Sequence, residues 1–443
     1  MPFIPNTKED QRLMLDAIGN SKIEDLLKII PEEVRFRGDL NLPPALSEWE
    51  VLREISRISN KNFTTETHSC FIGGGAYDHF IPSGIAALLS RSEFYTAYTP
   101  YQGEVSQGTL QSMYEYQSMI CELTGMDISN ASLYDAGSGL AEAVLMACNI
   151  TKRNKVVIVG KVHPNYLEVV RTYAYGQNIE IVQTDPVDGS ADLELLENLV
   201  DKTVAAVIFQ NPNFYGNLED VFKISRITKA IDKTLLISVI DPISLGVIVQ
   251  PAAYNADIVV GEAQGMGIGL QFGGPYCGIF ATKKSLIRKL PGRLSGVTID
   301  AEGKEAFVLT LQTREQHIRR DKATSNICTN QGLMALASTI YMALLGKEGI
   351  QEVAEQSTQK AHYLAEKICN INGYSLRFDK PFFKEFVVNT PHKPEFIIEA
   401  LFDKGILGGI DLSRFDDKGL MITVTEKRSK AELDEYVELL SDL

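Results

Sequence analysis

The run Leu235-Leu236-Ile237-Ser238-Val239-Ile240 is almost wholly apolar and stops at Asp241-Pro242. A strand buried on both faces reads this way, and the Asp-Pro pair ends it. Working outward, the same texture recurs. Toward the N terminus the pattern predicts strands at 156–159, 179–182 and 204–209, with helices near 165–175, 192–200 and 218–230 between them. Toward the C terminus, strands follow at 257–261 and 276–281. Buried strands separated by amphipathic helices predict an α/β fold with a mostly parallel sheet and flanking helices. Ahead of this block, a helix with Leu110, Met113, Tyr114, Ile120 and Cys121 on one face ends near Gly125, and an Ala-rich helix follows Ser138-Gly139.

The flanks differ in character. Residues 1–62 read as a polar helical arm, with Ser47-Glu48-Trp49-Glu50 as a capping box. Between 62 and 109 the chain turns to Gly, aromatic and hydroxyl residues with weak periodicity, a texture that suits functional loops. After the large domain, taken as 63–325, the pattern changes again. Helices near 331–345, 349–369 and 393–403, strands near 384–389 and 420–425, and a closing helix capped at Ser429 predict a smaller C-terminal α+β domain over 326–443.

Composition narrows the function classes. The chain has 443 residues, 57 acidic against 43 basic, and a formal charge of −14. That field repels phosphate backbones and anionic membranes, so neither nucleic acid nor membrane is an expected partner. Six cysteines, at 70, 121, 148, 277, 328 and 369, form no CxxC pair, which fits reduced thiols rather than a disulfide or zinc framework. The start lacks the basic-then-apolar order of a secretory signal, and no apolar stretch approaches the roughly 18 residues of a membrane span. A cytoplasmic protein without a metal is the expectation.

Three candidate groups lie at the expected carboxyl ends of strands, where open α/β sheets bind ligands. Asp135-Ala136-Gly137-Ser138-Gly139 precedes the Ala-rich helix and can bring backbone N–H groups to an anion, or can simply be a tight turn with an N-cap. His163 can stack on a planar ligand or be structural. Asp241 can pair with a protonated ring nitrogen or cap its loop. Their order resembles fold-type I pyridoxal-phosphate (PLP) enzymes, which also hold the cofactor as an imine on a lysine just past the next strand. Here that strand, Ala256-Asp257-Ile258-Val259-Val260-Gly261, is followed by Glu262-Ala263-Gln264-Gly265, and no lysine occurs from 234 to 282.

Longer segments carry a closer resemblance. Phe71-Ile72-Gly73-Gly74-Gly75-Ala76-Tyr77-Asp78-His79, the run from Thr99 to Gly108, Gln271-Phe272-Gly273-Gly274-Pro275-Tyr276, and the run from Thr313 to Thr329 are similar to the glycine cleavage system P-protein family. The similarity is closest to its N-terminal half, which many bacteria make as a separate subunit. The resemblance implies a fold-type I PLP-dependent transferase-like fold. It also implies an oxidoreductase role in glycine catabolism: oxidative decarboxylation of glycine, with the aminomethyl group passed to the lipoyl arm of H-protein. In that family the second half carries the PLP lysine. The missing lysine near Gly265 thus implies a lysine-bearing subunit 2 (beta) as partner, H-protein as a second, and T-protein and L-protein indirectly. A two-plus-two assembly is what the family suggests.

Residues expected to line the partner's site are Tyr95, Tyr98, Tyr101, His79, Arg314, His317, Arg319 and Arg320. Ser138, Gly139, His163 and Asp241 are expected as remnants of a cofactor pocket. The tyrosines can instead be interface packing, and the arginines can pair with Glu315 and Asp321. His79 can move a proton or make a structural hydrogen bond. Two other readings stay open: an independent enzyme with its imine lysine elsewhere (Lys155, Lys161, Lys233, Lys283 and Lys284 flank strands), or a scaffold that takes no part in the chemistry.

Overall fold

The structure, a computed structural model, describes residues 6–95, 98–323, 325–415 and 417–443. Met1–Pro5, Thr96 and Ala97 of the tyrosine segment, and Thr324 of the 313–329 run lie outside the described residues. The chain divides into two compact units, one ending at Phe63 and the other spanning Thr64–Leu443. The first holds helices Lys8–Ala17 and Glu48–Ser59, each opened by a capping box, at Thr7 and at Ser47. No residue of either helix is buried.

The second unit is built on a seven-stranded sheet: β1 (Ile128–Ser129), β2 (Lys155–Ile158), β3 (Glu180–Gln183), β4 (Val204–Asn211), β5 (Leu235–Ile240), β6 (Ile258–Glu262) and β7 (Gly278–Thr282). Its order is β1-β7-β6-β5-β4-β2-β3. Strands β2 to β6 are parallel, while β7 runs antiparallel to β6 and β1 antiparallel to β7. Successive strand residues alternate between faces. Val157, Val207, Leu236 and Val259 enter one core, with Tyr116, Ile224, Tyr341 and Ala354 from covering helices. Val156, Ile208, Ile237 and Val260 enter the other, with Leu140, Val144, Leu167 and Val170. Both faces are covered, as the uninterrupted apolar strands require.

Three local expectations change. The Ala-rich helix runs Ala136–Thr151 with Asp135 as N-cap, so Ser138 and Gly139 lie inside its first turn rather than ahead of it. The two helices expected at 331–345 and 349–369 form one run, Gly332–Cys369, kinked at Gly346, whose φ of 60° and ψ of −169° break the helical path without a gap. By length and apolar composition that helix is long enough to cross a bilayer, contrary to the expectation above, and Ala335, Tyr341, Ile350 and Ala354 place it in the sheet's core.

A third core gathers Phe71, Leu364, Phe386, Val388, Leu401, Ile422 and Tyr436 beneath a four-stranded antiparallel sheet that includes Glu385–Asn389 and Leu420–Thr423. The loop after β4 fastens this part to the central sheet. Phe383 N–H donates to the Gly216 carbonyl (3.1 Å) and Leu218 N–H to the Pro381 carbonyl (2.8 Å). Gly216, at φ +86°, runs so close to Glu385 that a Cβ there would overlap the Glu385 carbonyl. Lys384 and Glu385 are thereby delivered to the carboxyl ends of β4 and β5.

Candidate functional site

At those strand ends, Tyr77, Tyr166, Gln210, Asp241, Glu262 and Lys384 wall a cavity of about 20 Å³. That is room for one water molecule. Asp241 ends β5; its Oδ1 accepts from Ile243 N–H (3.0 Å) and its Oδ2 pairs with Lys384 Nζ at 2.7 Å. The Lys384 side chain is 1% exposed. Its ammonium also donates to His79 Nε2 (2.9 Å) and sits 3.4 Å above the Tyr77 ring centroid. An ammonium only donates. His79 therefore accepts at Nε2 and carries its proton on Nδ1, which donates to Glu426 Oε2 (2.6 Å). The remaining Glu426 oxygen accepts from Phe80 N–H (2.6 Å). Burial alone would raise the Glu426 carboxyl, but its pairing with His79 brings it below the ordinary carboxylate value.

Glu262 closes β6. Its carboxyl accepts from the N–H groups of Ala136 (3.0 Å), Cys277 (2.9 Å) and Gln264 (3.2 Å), and burial pushes its pKa up to about 8. Ala136 N–H opens the Ala-rich helix, and Asp135 Oδ1 takes Ser138 N–H (2.7 Å). The first-turn donors that could have met an external anion thus meet two carboxyls of the chain itself. Gly139 lies where a Cβ would stand 3.0 Å from Val260, so its smallness serves packing of helix on sheet.

Gln264, 1% exposed, accepts from Tyr77 N–H (2.7 Å) and donates to the carbonyls of Tyr77 (3.0 Å) and Ile268 (2.9 Å). This side chain stands just past β6 and straps down the Gly73-Gly74-Gly75 segment. Gly75, at φ +102°, passes so near His163 that a Cβ would come within 2.8 Å of the ring. His163 stacks on Tyr166 (centroids 4.2 Å apart, 15° between planes). Its Nδ1 accepts from Asn165 N–H (3.1 Å), so Nε2 carries the proton and donates to the Gly74 carbonyl (2.6 Å). Burial lowers its pKa to about 4, which keeps the ring neutral.

The other candidates gather elsewhere. Tyr101 and His317 meet edge to face at 5.9 Å, above Arg293 and Glu315, both buried. Arg293 donates to Thr329 Oγ1 (2.9 Å) and the Cys328 carbonyl (2.7 Å), and lies 3.7 Å from Glu315. Arg314 is tied to backbone carbonyls at Leu290, Gly292 (3.2 Å) and Leu311 (3.1 Å), a structural duty unlike the Glu315 pairing considered from the sequence. Tyr95 and Tyr98 are exposed, Tyr98 by 82%, and so are Arg319 and Arg320, which make no ion pair among the described residues. Among those residues, no three His, Cys, Asp or Glu side chains are placed to hold a metal.

The family model for the glycine cleavage system P-protein matches residues 1–440. The chain belongs to the glycine cleavage system P-protein family. Relatives of this P-protein chain include the probable glycine dehydrogenase (decarboxylating) subunit 1 of Chloroherpeton thalassium, 55% identical over the whole of both chains. That of Carboxydothermus hydrogenoformans is 53% identical over 99% of each. A crystal structure of glycine decarboxylase (P-protein) in inhibitor-bound form superposes with a TM-score of 0.93, at 41% identity over 100% of both chains. A sphingosine-1-phosphate lyase of Burkholderia pseudomallei follows at TM-score 0.68 and 13% identity over 93% of this chain and 94% of its own, a likeness of fold alone. The fold is that of fold-type I PLP-dependent enzymes.

PLP does not fit the pocket of this P-protein chain. The free space suits one water, Gln264 stands past β6, and Asp241 is already paired with Lys384. Lys384, Glu262, Gln264, Tyr166 and Arg293 carried no signal in the sequence reading. Apart from Tyr166, each acts across a long separation, and only the missing lysine near Gly265 hinted at a replacement.

Proposed function

We propose that this chain is the subunit of a two-subunit glycine dehydrogenase (decarboxylating) that does not bear the cofactor lysine, working in the cytoplasm with a lysine-bearing subunit 2. One observation carries the reading: full-length relatives named subunit 1 share this chain's whole extent, while its own strand-end pocket is filled by its own side chains. PLP on the partner would supply the electron sink for loss of CO2 from glycine. The aminomethyl group then passes to the lipoyl arm of H-protein, with T-protein and L-protein acting downstream. This chain would contribute the face carrying Tyr95, Tyr98, Tyr101, His317, Arg319 and Arg320. The free guanidinium forks of Arg319 and Arg320 suit a carboxylate or an acidic partner surface. Buried His79 and half-buried Arg314 would hold structure rather than touch substrate.

Co-expressing the chain with subunit 2 tests this. Tyr98→Ala and Arg319→Ala are expected to lower glycine-dependent turnover at least tenfold while the complex still elutes at the wild-type position. A scaffold without chemical contribution would keep full activity or lose activity and assembly together.

A further inference from the structure

We propose that the strand-end pocket is self-liganded: side chains of this chain stand where the fold family's cofactor places its charges and ring, and so bolt the C-terminal part to the central sheet. Three replacements carry the idea. At the start of the Ala-rich helix, where a phosphate would meet backbone N–H groups, the Glu262 carboxyl takes Ala136 N–H and Asp135 takes Ser138 N–H. At the end of β5, where an acid would meet a protonated ring nitrogen, Asp241 meets the Lys384 ammonium at 2.7 Å. Against the His163 ring, where a planar cofactor would stack, lies Tyr166.

Lys384 is not a displaced imine lysine. Its Nζ is bonded to the acid that would hold the ring nitrogen, which is the end of the pocket away from a reacting aldehyde. Two hydrogen bonds and the Tyr77 face use its donors, leaving a charged ammonium without a nucleophilic lone pair. Because Lys384 comes from the C-terminal part and Asp241 from the central sheet, the pair doubles as a fastening between them. A buried pair of this kind costs most when one partner is removed, since the other charge is left uncompensated. The inference concerns this chain alone and stands whether or not a partner subunit bears the cofactor.

The test uses the purified full-length chain, PLP, and inorganic phosphate. Absorbance titration with PLP, followed by borohydride reduction and intact mass, is expected to show no saturable one-to-one binding and no stoichiometric adduct. Phosphate is expected to leave the melting temperature unchanged. Lys384→Met is expected to melt about 5 °C lower, and Asp241→Asn added to it to restore at least half of that loss. If Lys384→Met does not fold, Asp241→Asn alone should still lower the melting temperature by a few degrees. Saturable PLP binding, an adduct on Lys384, melting raised by phosphate, or single and double variants whose losses simply add would each overturn the proposal.

Discussion

Replacing Gln264 by leucine isolates what the residue just past β6 does. Its three hydrogen bonds reach Tyr77 N–H, the Tyr77 carbonyl and the Ile268 carbonyl. Leucine removes all three at similar volume. The Tyr77 carbonyl keeps a second donor, His79 N–H at 3.0 Å, so it is not orphaned. Tyr77 N–H and the carbonyl of buried Ile268 lose the side-chain partner they share. An orphaned buried group costs about 1–3 kcal/mol and a lost but replaceable bond about 1 kcal/mol, which together suggest about 4 kcal/mol. The Thr64–Leu443 unit unfolds with an entropy of about 0.8 kcal/mol/K at the usual per-residue value, so the melting temperature should fall by about 5 °C. Gln264→Glu should fare no better. It keeps an acceptor for Tyr77 N–H but turns carboxylate oxygens toward two carbonyls. Calorimetry of the full chain, wild type and both variants at one pH, decides the matter. A Gln264→Leu protein melting within 1 °C of wild type would refute the idea that this side chain straps the glycine segment to the sheet.

Three further outcomes follow from the same site. Glu262 has its pKa raised to about 8 by burial, so between the unfolded value of 4.5 and 8 the folded chain keeps a proton that the unfolded chain has lost. Stability should therefore drop as pH rises, by about 2 kcal/mol from pH 6 to 8 in urea denaturation, and Glu262→Gln should lack this part of the slope; equal slopes would count against it. His163 is held neutral with its proton on Nε2, its pKa lowered to about 4 by burial, so it adds stability above about 6.5 that is lost as pH falls toward 4. Its ring nitrogens in a two-dimensional NMR spectrum should not titrate between pH 5.5 and 8, and a midpoint near 6.5 would contradict the assignment. Gly216→Ala places a methyl group into the Glu385 carbonyl at a positive φ, and should cost at least about 3 kcal/mol or yield insoluble protein; soluble protein with wild-type melting would show that the loop yields freely.

What the sequence discloses follows from how far apart the interacting residues are. The central strands were legible because burial on both faces leaves a local imprint, so Leu235–Ile240 appears as a run apolar at all but Ser238 and matches β5 end to end. Asp241, His163 and the Ser138 turn were legible for the same reason, since each directly follows or opens an element. Their partners were not. Lys384 lies 143 positions from Asp241, and in sequence it is one lysine among charged neighbours at the start of a short strand. Only the close approach of Gly216 to Glu385 carries it to the end of β5, and a glycine in a loop does not announce what it must let pass. Glu262 is similar: a carboxyl closing an apolar strand reads as a strand terminator, and its meeting with Ala136 N–H depends on β6 lying beside the Ala-rich helix. The one local trace of these replacements is the absence of a lysine near Gly265, and beside that position stands Gln264. A side chain that both donates and accepts can satisfy the Tyr77 backbone, whereas an ammonium can only donate. Gln264, next to the place where the nucleophile is missing, thus closes the pocket. That is why Gln264→Lys should lower the melting temperature in calorimetry while Lys384 and Glu262 still fill the pocket.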